Sequence, residues 1–212
     1  MAVLLTLPPA YALAWLLARR RFPGRLLLDA AIHLPLVLPP VVTGWLLLLL
    51  FGRAGPLGGW LEAQFGITLV FRWTGAALAA AVMALPLMVR AMRLSIEAVD
   101  RRLVEAARVL GAPPWRAFLS ITLPLSAPGI AAGAMLGFAR SLGEFGATIT
   151  FASNIAGETR TLPLAIYSGL QLPGAEAQVT RLAVISIVLS IAALLASELL
   201  VRRSAGARAH VL

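Results

Sequence analysis

The chain has 212 residues, of which 60% are hydrophobic and only 13% are charged, and it contains no cysteine. A soluble domain carries about a quarter charged residues, so the composition favours a membrane protein, and the absence of cysteine excludes disulfides, thiolate metal sites and cysteine nucleophiles. The net charge of +9 would indicate nucleic-acid binding in a soluble domain. Here the basic residues are all arginines at the ends of apolar segments, which is typical of membrane topology and predicts no nucleic-acid partner.

Five apolar segments predict an all-α, polytopic membrane protein that forms a single transmembrane domain over residues 1–212. About 20 helical residues cross a bilayer core of about 30 Å, and the five spans cover residues 2–18, 30–51, 73–94, 127–150 and 179–201. The first span is short and starts at Met1, which is consistent with a missing N-terminal turn. Because basic residues follow it and none precedes it, we expect a membrane helix and not a cleaved signal peptide.

The arginine positions predict the orientation of these spans. Thirteen arginines fall on one side of the predicted membrane, four fall on the other, and Arg140 lies within a span. The richer side is expected to be cytoplasmic, which places the N-terminus outside and the C-terminus inside. The thirteen are Arg19, Arg20, Arg21, Arg25, Arg90, Arg93, Arg101, Arg102, Arg108, Arg116, Arg202, Arg203 and Arg208.

The second span and the outer loops carry signs of irregular structure. Three prolines interrupt the second span at positions 35, 39 and 40, and each removes a backbone donor and crowds the preceding turn. Both an ordinary kink and a moving or pathway-lining segment remain open. The outer loop at 55–67 has apolar residues at helical spacing and is expected to lie in the headgroup region. The outer loop at 159–174 is apolar but too short to span, so we expect a surface or re-entrant helix.

The longest cytoplasmic loop, about 97–126, is predicted to contain two short helices. Asp100 can cap the first helix, and Gly111 stands where that helix needs a left-handed stop. Pro113 and Pro114 suit the first turn of the second helix. The spacing alone favours a solvated amphipathic connector. The small residues on one side of the first helix would also let another protein approach closely.

The same loop resembles the signature of ABC importer permeases, which reads EAA, three residues, G, nine residues and I-x-L-P. Every spacing of that signature is intact, and the matching residues are Glu105, Ala106, Ala107, Gly111, Ile121, Leu123 and Pro124. Two further stretches, residues 33–58 and 137–177, resemble the molybdate permease (ModB) family, which is related to the sulfate permeases. The resemblance extends over about residues 3–203.

This resemblance implies a role for the loop and a set of partners. The loop would be the coupling helix that docks into a cleft of an ATP-hydrolysing subunit. The chain would be the permease of an ATP-driven importer of molybdate, or also of tungstate, in a bacterial inner membrane. It would form a homodimer with two ABC ATP-binding subunits and receive its cargo from a periplasmic oxyanion-binding protein. No cofactor is implied.

The fourth predicted span contains two ionisable residues, Arg140 and Glu144, one helical turn apart. A mutual salt bridge is the favoured interpretation, because charges inside a membrane usually pair; a role for Arg140 in guiding an oxyanion is the alternative. Hydroxyl groups without fixed charge suit a weak, transient anion path, and the candidates are Thr43, Ser141, Thr148 and Thr150. Gly137, Gly143 and Gly146 are expected to permit close approach of helices.

An enzyme is not expected from this sequence. The histidines are His33 and His210; His33 stands one turn from Asp29, which favours a local hydrogen bond over a catalytic or metal site. No phosphate-binding GxxxxGK[ST] motif is present, so ATP hydrolysis is expected on a separate subunit. Three alternatives remain open: a sulfate or thiosulfate permease of the same class, a secondary transporter that works without an ATPase, and a membrane-bound hydrolase.

Overall fold

The computed structural model describes the backbone of residues 1–209 and the side chains of residues 1–196 and 199. All regular structure in that part of the chain is helical, as the sequence predicts. The α-helices are α1 (Ala2–Arg19), α2 (Arg25–Val37), α3 (Pro40–Phe51), α4 (Pro56–Phe65), α5 (Trp73–Glu97), α6 (Arg101–Val109), α7 (Pro114–Ala117), α8 (Leu123–Leu142), α9 (Gly146–Ala152), α10 (Leu162–Leu170) and α11 (Glu176–Ala209). A π-helical segment, Phe118–Thr122, joins α7 to α8.

Four helical stretches in the described residues are long and apolar enough to cross a membrane. They are α1, α5, the continuous stretch Pro114–Leu142 and Glu176–Ala196. The pair formed by α3 and α4, bent by 46°, has the length and composition of a fifth span or of a re-entrant loop. The predicted number of about five spans therefore agrees with the structure.

The main core lies where α5 packs against α1 and α8. Small residues of α1, such as Ala10 and Ala14, are fully buried against the Met88 and Met92 side chains of α5. On α8, a Cβ at Gly137 would lie 2.6 Å from Met88 Sδ. Residues without large side chains thus let the three helices approach closely, which is the usual way in which membrane helices pack.

A second core joins α3 and α9 to the N-terminal half of α5. Leu47 of α3, Met83 of α5 and Phe151 of α9 are buried together. A Cβ at Gly44 would lie 2.7 Å from Ala147 O, and one at Gly146 would lie 2.7 Å from Pro40 Cβ. The prediction of close approach is therefore confirmed for Gly137 and Gly146. It is wrong for Gly143, where no atom lies within 4 Å of a Cβ.

The second and fourth predicted spans are not the single helices that the sequence suggested. The segment 30–51 divides into α2 and α3, because Pro39 has an extended backbone and Pro40 begins the next helix. The segment 127–150 also divides, since α8 ends at Leu142 and α9 begins at Gly146. The fourth span starts earlier than predicted, because α7, the π-helical segment and α8 run on as one stretch. The predicted second helix of the loop is thus the beginning of this span.

Five of the arginines assigned to the cytoplasmic side line one pocket, at the end of the helix bundle that carries α6. Arg19 at the end of α1 lies beside Arg25 of α2 and Arg101 of α6, together with the end of α5. At the other end of the bundle, the backbone N–H of Trp73 donates to Glu158 Oε1, at 3.3 Å. The fold therefore places the predicted cytoplasmic loops together, and the assignment of that end to the cytoplasm stays a prediction.

Candidate functional site: an exposed docking helix and a buried ion pair

The sequence around α6 specifies both ends of this helix. The Asp100 side chain accepts a hydrogen bond from the backbone N–H of Arg102, at 2.9 Å, and so caps the first turn. At the other end Gly111 has φ +88°, and the backbone N–H of Ala112 donates to Ala107 O at 3.0 Å. This is the left-handed stop that the sequence predicts, at a position where glycine avoids Cβ strain.

The α6 helix buries none of its residues. Val109 and Leu110, next to the EAA residues, are each 87% exposed. Glu105 and Ala106 are also exposed, and Ala107 is half-buried. An apolar surface of this kind on an otherwise charged helix is unfavourable in water and points to a protein partner.

The second part of the signature, by contrast, is built into the bundle. Ile121 and Leu123 are partly buried at the junction of the π-helical segment with α8, and Pro124 is exposed in the first turn of α8. Ser120 Oγ donates to Arg116 O at 2.7 Å. The signature residues therefore divide into an exposed group on α6 and a group that joins α6 to the fourth span.

The last residue of α1, Arg19, is bonded to the segment that leads from α5 into α6. The Arg19 guanidinium donates from Nη2 to Ile96 O, at 2.9 Å, and to Val99 O, at 3.0 Å, at the C-terminus of α5. A cation there complements the negative end of the helix dipole and supplies a further donor to these terminal carbonyls. In the sequence Arg19 indicated only the topology, because its position directly after the first apolar span gives no sign of this bond.

A hydroxyl pair connects α1 to α8 near the same end. The hydroxyl oxygens of Tyr11 and Ser126 lie 2.7 Å apart, and Ser126 is fully buried. Ser95 Oγ of α5 donates to Ser126 O at 3.4 Å. Three helices thus meet at one polar point near the loop that contains α6. Nothing in the sequence indicated this contact, because these residues are 31 to 115 positions apart.

The charged pair in the fourth predicted span forms as expected. Arg140 Nη1 lies 2.7 Å from Glu144 Oε2, although Oε2 accepts no aligned hydrogen bond. Glu144 Oε1 accepts a hydrogen bond from the backbone N–H of Ala147, at 2.8 Å, and so caps α9. The carboxylate is buried, with 2% of its side chain exposed, whereas 25% of the Arg140 side chain is exposed.

Three of the four predicted hydroxyl residues lie on the packed helices α3 and α9, and the fourth lies on α8. Thr148 and Thr150 lie on α9, and Thr43 lies on α3 beside Gly44, which packs on Ala147 and Thr150. Thr150 Oγ1 donates to Gly146 O at 2.9 Å. Ser141, on α8 before the break, has a buried hydroxyl without a partner, as does Thr43. Of the two, only Ser141 is next to a member of the ion pair in the chain, and a role for these hydroxyls in an anion path stays a prediction.

His33 makes the local contact that its spacing from Asp29 predicts. His33 Nδ1 lies 2.8 Å from Asp29 O, a contact within one helical turn. The residues described by the structure contain no group of three or more His, Asp or Glu side chains that could hold a metal ion. His210 lies outside the described residues.

The chain is similar in sequence to known transport proteins. Residues 10–206 match the family described as "Binding-protein-dependent transport system inner membrane component". The chain is 60% identical over 204 residues to the "Molybdenum transport system permease protein ModB" of Escherichia coli (strain K12), with 96% of this chain and 89% of that protein covered. It is 45% identical over 159 residues to the "Sulfate transport system permease protein CysT" of the same organism, with 75% and 57% covered.

A solved structure also resembles this one in fold. It is the crystal structure of a bacterial ABC transporter involved in the import of the acidic polysaccharide alginate, with a TM-score of 0.67. The match covers 95% of this chain and 77% of the other at 19% identity. At that identity the likeness concerns the arrangement of helices only.

Proposed function

This chain belongs to the family of binding-protein-dependent transport system inner membrane components, and from that membership we infer that it is the permease of an ATP-driven importer of molybdate. The observation that carries this conclusion is the 60% identity to a molybdenum permease over 96% of the chain. That length includes the packed helices, the docking loop and the buried ion pair together. Tungstate, an oxyanion of the same shape and charge, is included in the proposal.

Sulfate is the second candidate cargo. The similarity to a sulfate permease is lower, at 45% identity, and covers 75% of this chain. Molybdate and sulfate are both tetrahedral dianions, so a path that recognises charge and shape accepts both in principle. The higher identity and the wider coverage favour molybdate.

The chain is proposed to work with partners that supply energy and cargo. Two copies would form the pathway, two ABC ATP-binding subunits would dock on the α6 loops, and a periplasmic oxyanion-binding protein would deliver the anion. The exposed Val109 and Leu110 support the docking of a second protein at α6. ATP hydrolysis is placed on the separate subunit because this chain has no GxxxxGK[ST] motif.

A continuous series of contacts links α6 to the ion pair. Movement of α6 would act on α5 through Val99, whose carbonyl is held by Arg19, and on α8 through the π-helical segment. The α8 helix packs closely on α5 and ends at the Arg140–Glu144 pair, and Glu144 caps α9. Closure of the ATP-binding subunits would thus shift a packed set of helices between two arrangements.

The unequal exposure of the ion pair supports a role in the pathway. Glu144 is buried against α9, so an approaching anion would meet the partly exposed Arg140 guanidinium instead of the carboxylate. The pairing moderates the positive charge, which suits a path that must release its cargo. The salt-bridge and pathway interpretations are therefore compatible.

The docking proposal is tested with Glu105→Arg, which reverses one exposed charge on α6. We expect this variant to insert normally and to lose co-purification of the ATP-binding subunits. Glu62→Arg, the same charge reversal on α4 and outside the proposed docking loop, is the control and should retain them.

An unchanged complex with Glu105→Arg would contradict docking at α6. Transport that continues in the variant without any ATP-binding subunit would favour a secondary transporter. A hydrolytic activity that survives loss of those subunits would favour a membrane-bound hydrolase.

A further inference from the structure

A pocket lined by five arginines lies at the end of the bundle that carries the docking loop. Its volume is about 550 Å³, and it is lined by Arg19, Arg20, Arg21, Arg25 and Arg101 together with Glu97 and Ala18. In the described part of the chain none of these arginines forms an ion pair with a carboxylate, and Glu97 Oε1 is held by Arg93 Nε at 2.9 Å. The pocket therefore carries a large uncompensated positive charge.

The interactions that these arginines do make leave their charges available. Arg19 donates to two backbone carbonyls, and the Arg20 guanidinium carbon lies 5.7 Å from the centre of the Trp15 ring. Neither partner is an anion. Arg20, Arg21 and Arg101 are exposed, so an anion can reach them without any rearrangement of the core.

The first turn of α2 adds a second feature that favours an anion. Arg25 is the first residue of this 13-residue helix, and no side chain caps it. The backbone N–H groups of Leu26 and Leu27 have no partner among the described contacts, and no acidic residue stands in that turn. Free N–H groups at a helix start attract negative charge.

The pocket opens next to an apolar surface at the predicted membrane boundary. The spanning helix α1 ends at Arg19, beside the pocket. Leu26 and Leu27, directly after Arg25, are 80% and 75% exposed, and Trp15 is the kind of residue that lies at a membrane interface. A soluble anion would use only the charges, whereas a phospholipid would use the charges and the leucines together.

We propose that this arginine pocket binds the phosphate headgroup of an anionic phospholipid of the inner leaflet, with its acyl chains along Leu26 and Leu27. Basic pockets between membrane helices on the cytoplasmic side suit such headgroups. The bound lipid bridges α1, α2 and the start of α6, and so stabilises the base of the docking loop. This site is separate from the proposed anion pathway.

The test measures lipid binding by the full chain, in the complex in which it is purified from membranes, by native mass spectrometry. The probes are phosphatidylglycerol and, as the neutral comparison, phosphatidylcholine. We expect selective retention of phosphatidylglycerol. The double variant Arg21→Gln with Arg25→Gln should lower the affinity for this lipid roughly twentyfold to thirtyfold, because each arginine near a membrane surface contributes about fivefold. Arg19 is left intact because it holds the end of α5.

Two control variants keep the test decisive. Arg21→Lys with Arg25→Lys retains the charge and should retain most of the binding. Arg116→Gln removes one charge from the same end of the bundle outside the pocket and should have no effect. Equal retention of both lipids, or equal losses in the Arg116→Gln control, would overturn the proposal. Full competition by inorganic phosphate at constant ionic strength would assign the pocket to a free anion and overturn the lipid assignment.

Discussion

At the scale of single residues, the buried carboxylate of Glu144 is held by contacts on both of its oxygens. Glu144 is nearly fully buried, with one oxygen on the Ala147 N–H and the other against Arg140. Arg140 is a quarter exposed and retains access to water or cargo. Removal of either partner therefore has a different effect on stability. Only the carboxylate would remain buried and unpaired in an apolar site.

This inequality predicts the effects of two amide substitutions. Arg140→Gln leaves a buried, unpaired carboxylate and should lower the free energy of unfolding by about 3–5 kcal/mol, as for other broken buried pairs. Glu144→Gln keeps an oxygen that can cap Ala147 and should cost less. Denaturation of the two single variants and the double variant in detergent gives the coupling energy, expected within about 0.5–3 kcal/mol. Equal losses in the two single variants would show that the pair is not arranged in this way.

At the scale of helices, the fold relies on close backbone contact between neighbouring elements. The contact of α3 with α9 is an example, since a Cβ at Gly44 would meet Ala147 O at 2.7 Å and Thr150 Cβ at 2.8 Å. Neither atom is at the end of a flexible side chain. A single methyl group at this position must therefore separate the two helices.

Gly44→Ala is predicted to destabilise the protein by about 1–3 kcal/mol, the usual cost of overpacking a core, and to reduce transport. The matched control is Gly143→Ala in the break before α9, where φ is −91° and no atom lies within 4 Å of a Cβ. Thermal unfolding in detergent measures both variants. The packing argument fails if the two variants are equally stable.

The helices also show how far the sequence could predict the fold. The ends of α6 were predictable because Asp100 and Gly111 act within one turn of their own positions. The effect of each proline on its helix was not predictable. Pro35 and Pro86 stand inside helices, whereas Pro39 lies between two helices. Neighbouring helices decide whether a freed backbone group is tolerated, and that information is not local.

The break before α9 is a different case, because a local signal existed. Glu144 stands three residues before the Ala147 N–H that it caps, and a negative charge is favourable at the start of a helix. The predicted fourth span instead placed Arg140 and Glu144 as a pair on one continuous helix. The ion pair was predicted correctly, and the end of α8 at Leu142, between its two members, was missed. Contacts such as Tyr11 with Ser126 had no local signal.

At the scale of the whole molecule, the account depends on which end of the bundle faces the cytoplasm. Five of the predicted cytoplasmic arginines lie together at the end that carries α6, in line with the preference of positive charge for the cytoplasmic side. The docking loop and the arginine pocket are at the same end. Inversion of the topology would therefore remove both proposals at once.

The absence of native cysteine allows a direct test of this orientation. Val109→Cys lies at an 87% exposed position on α6, and Ala156→Cys lies at an exposed position after α9. In cells that express the chain without its ATP-binding subunits, a membrane-impermeant maleimide should label Ala156→Cys from outside. Val109→Cys should react only after the membrane is permeabilised. The reverse pattern would invert the topology.

The most direct test of the central claim is uptake of radiolabelled molybdate by the reconstituted complex, with ATP and vanadate as the controlled variables. The account predicts uptake that requires ATP, stops with vanadate, is lost with Glu105→Arg and resists an excess of sulfate. Uptake that continues without ATP, or that sulfate abolishes at equal concentration, would contradict an ATP-driven molybdate permease.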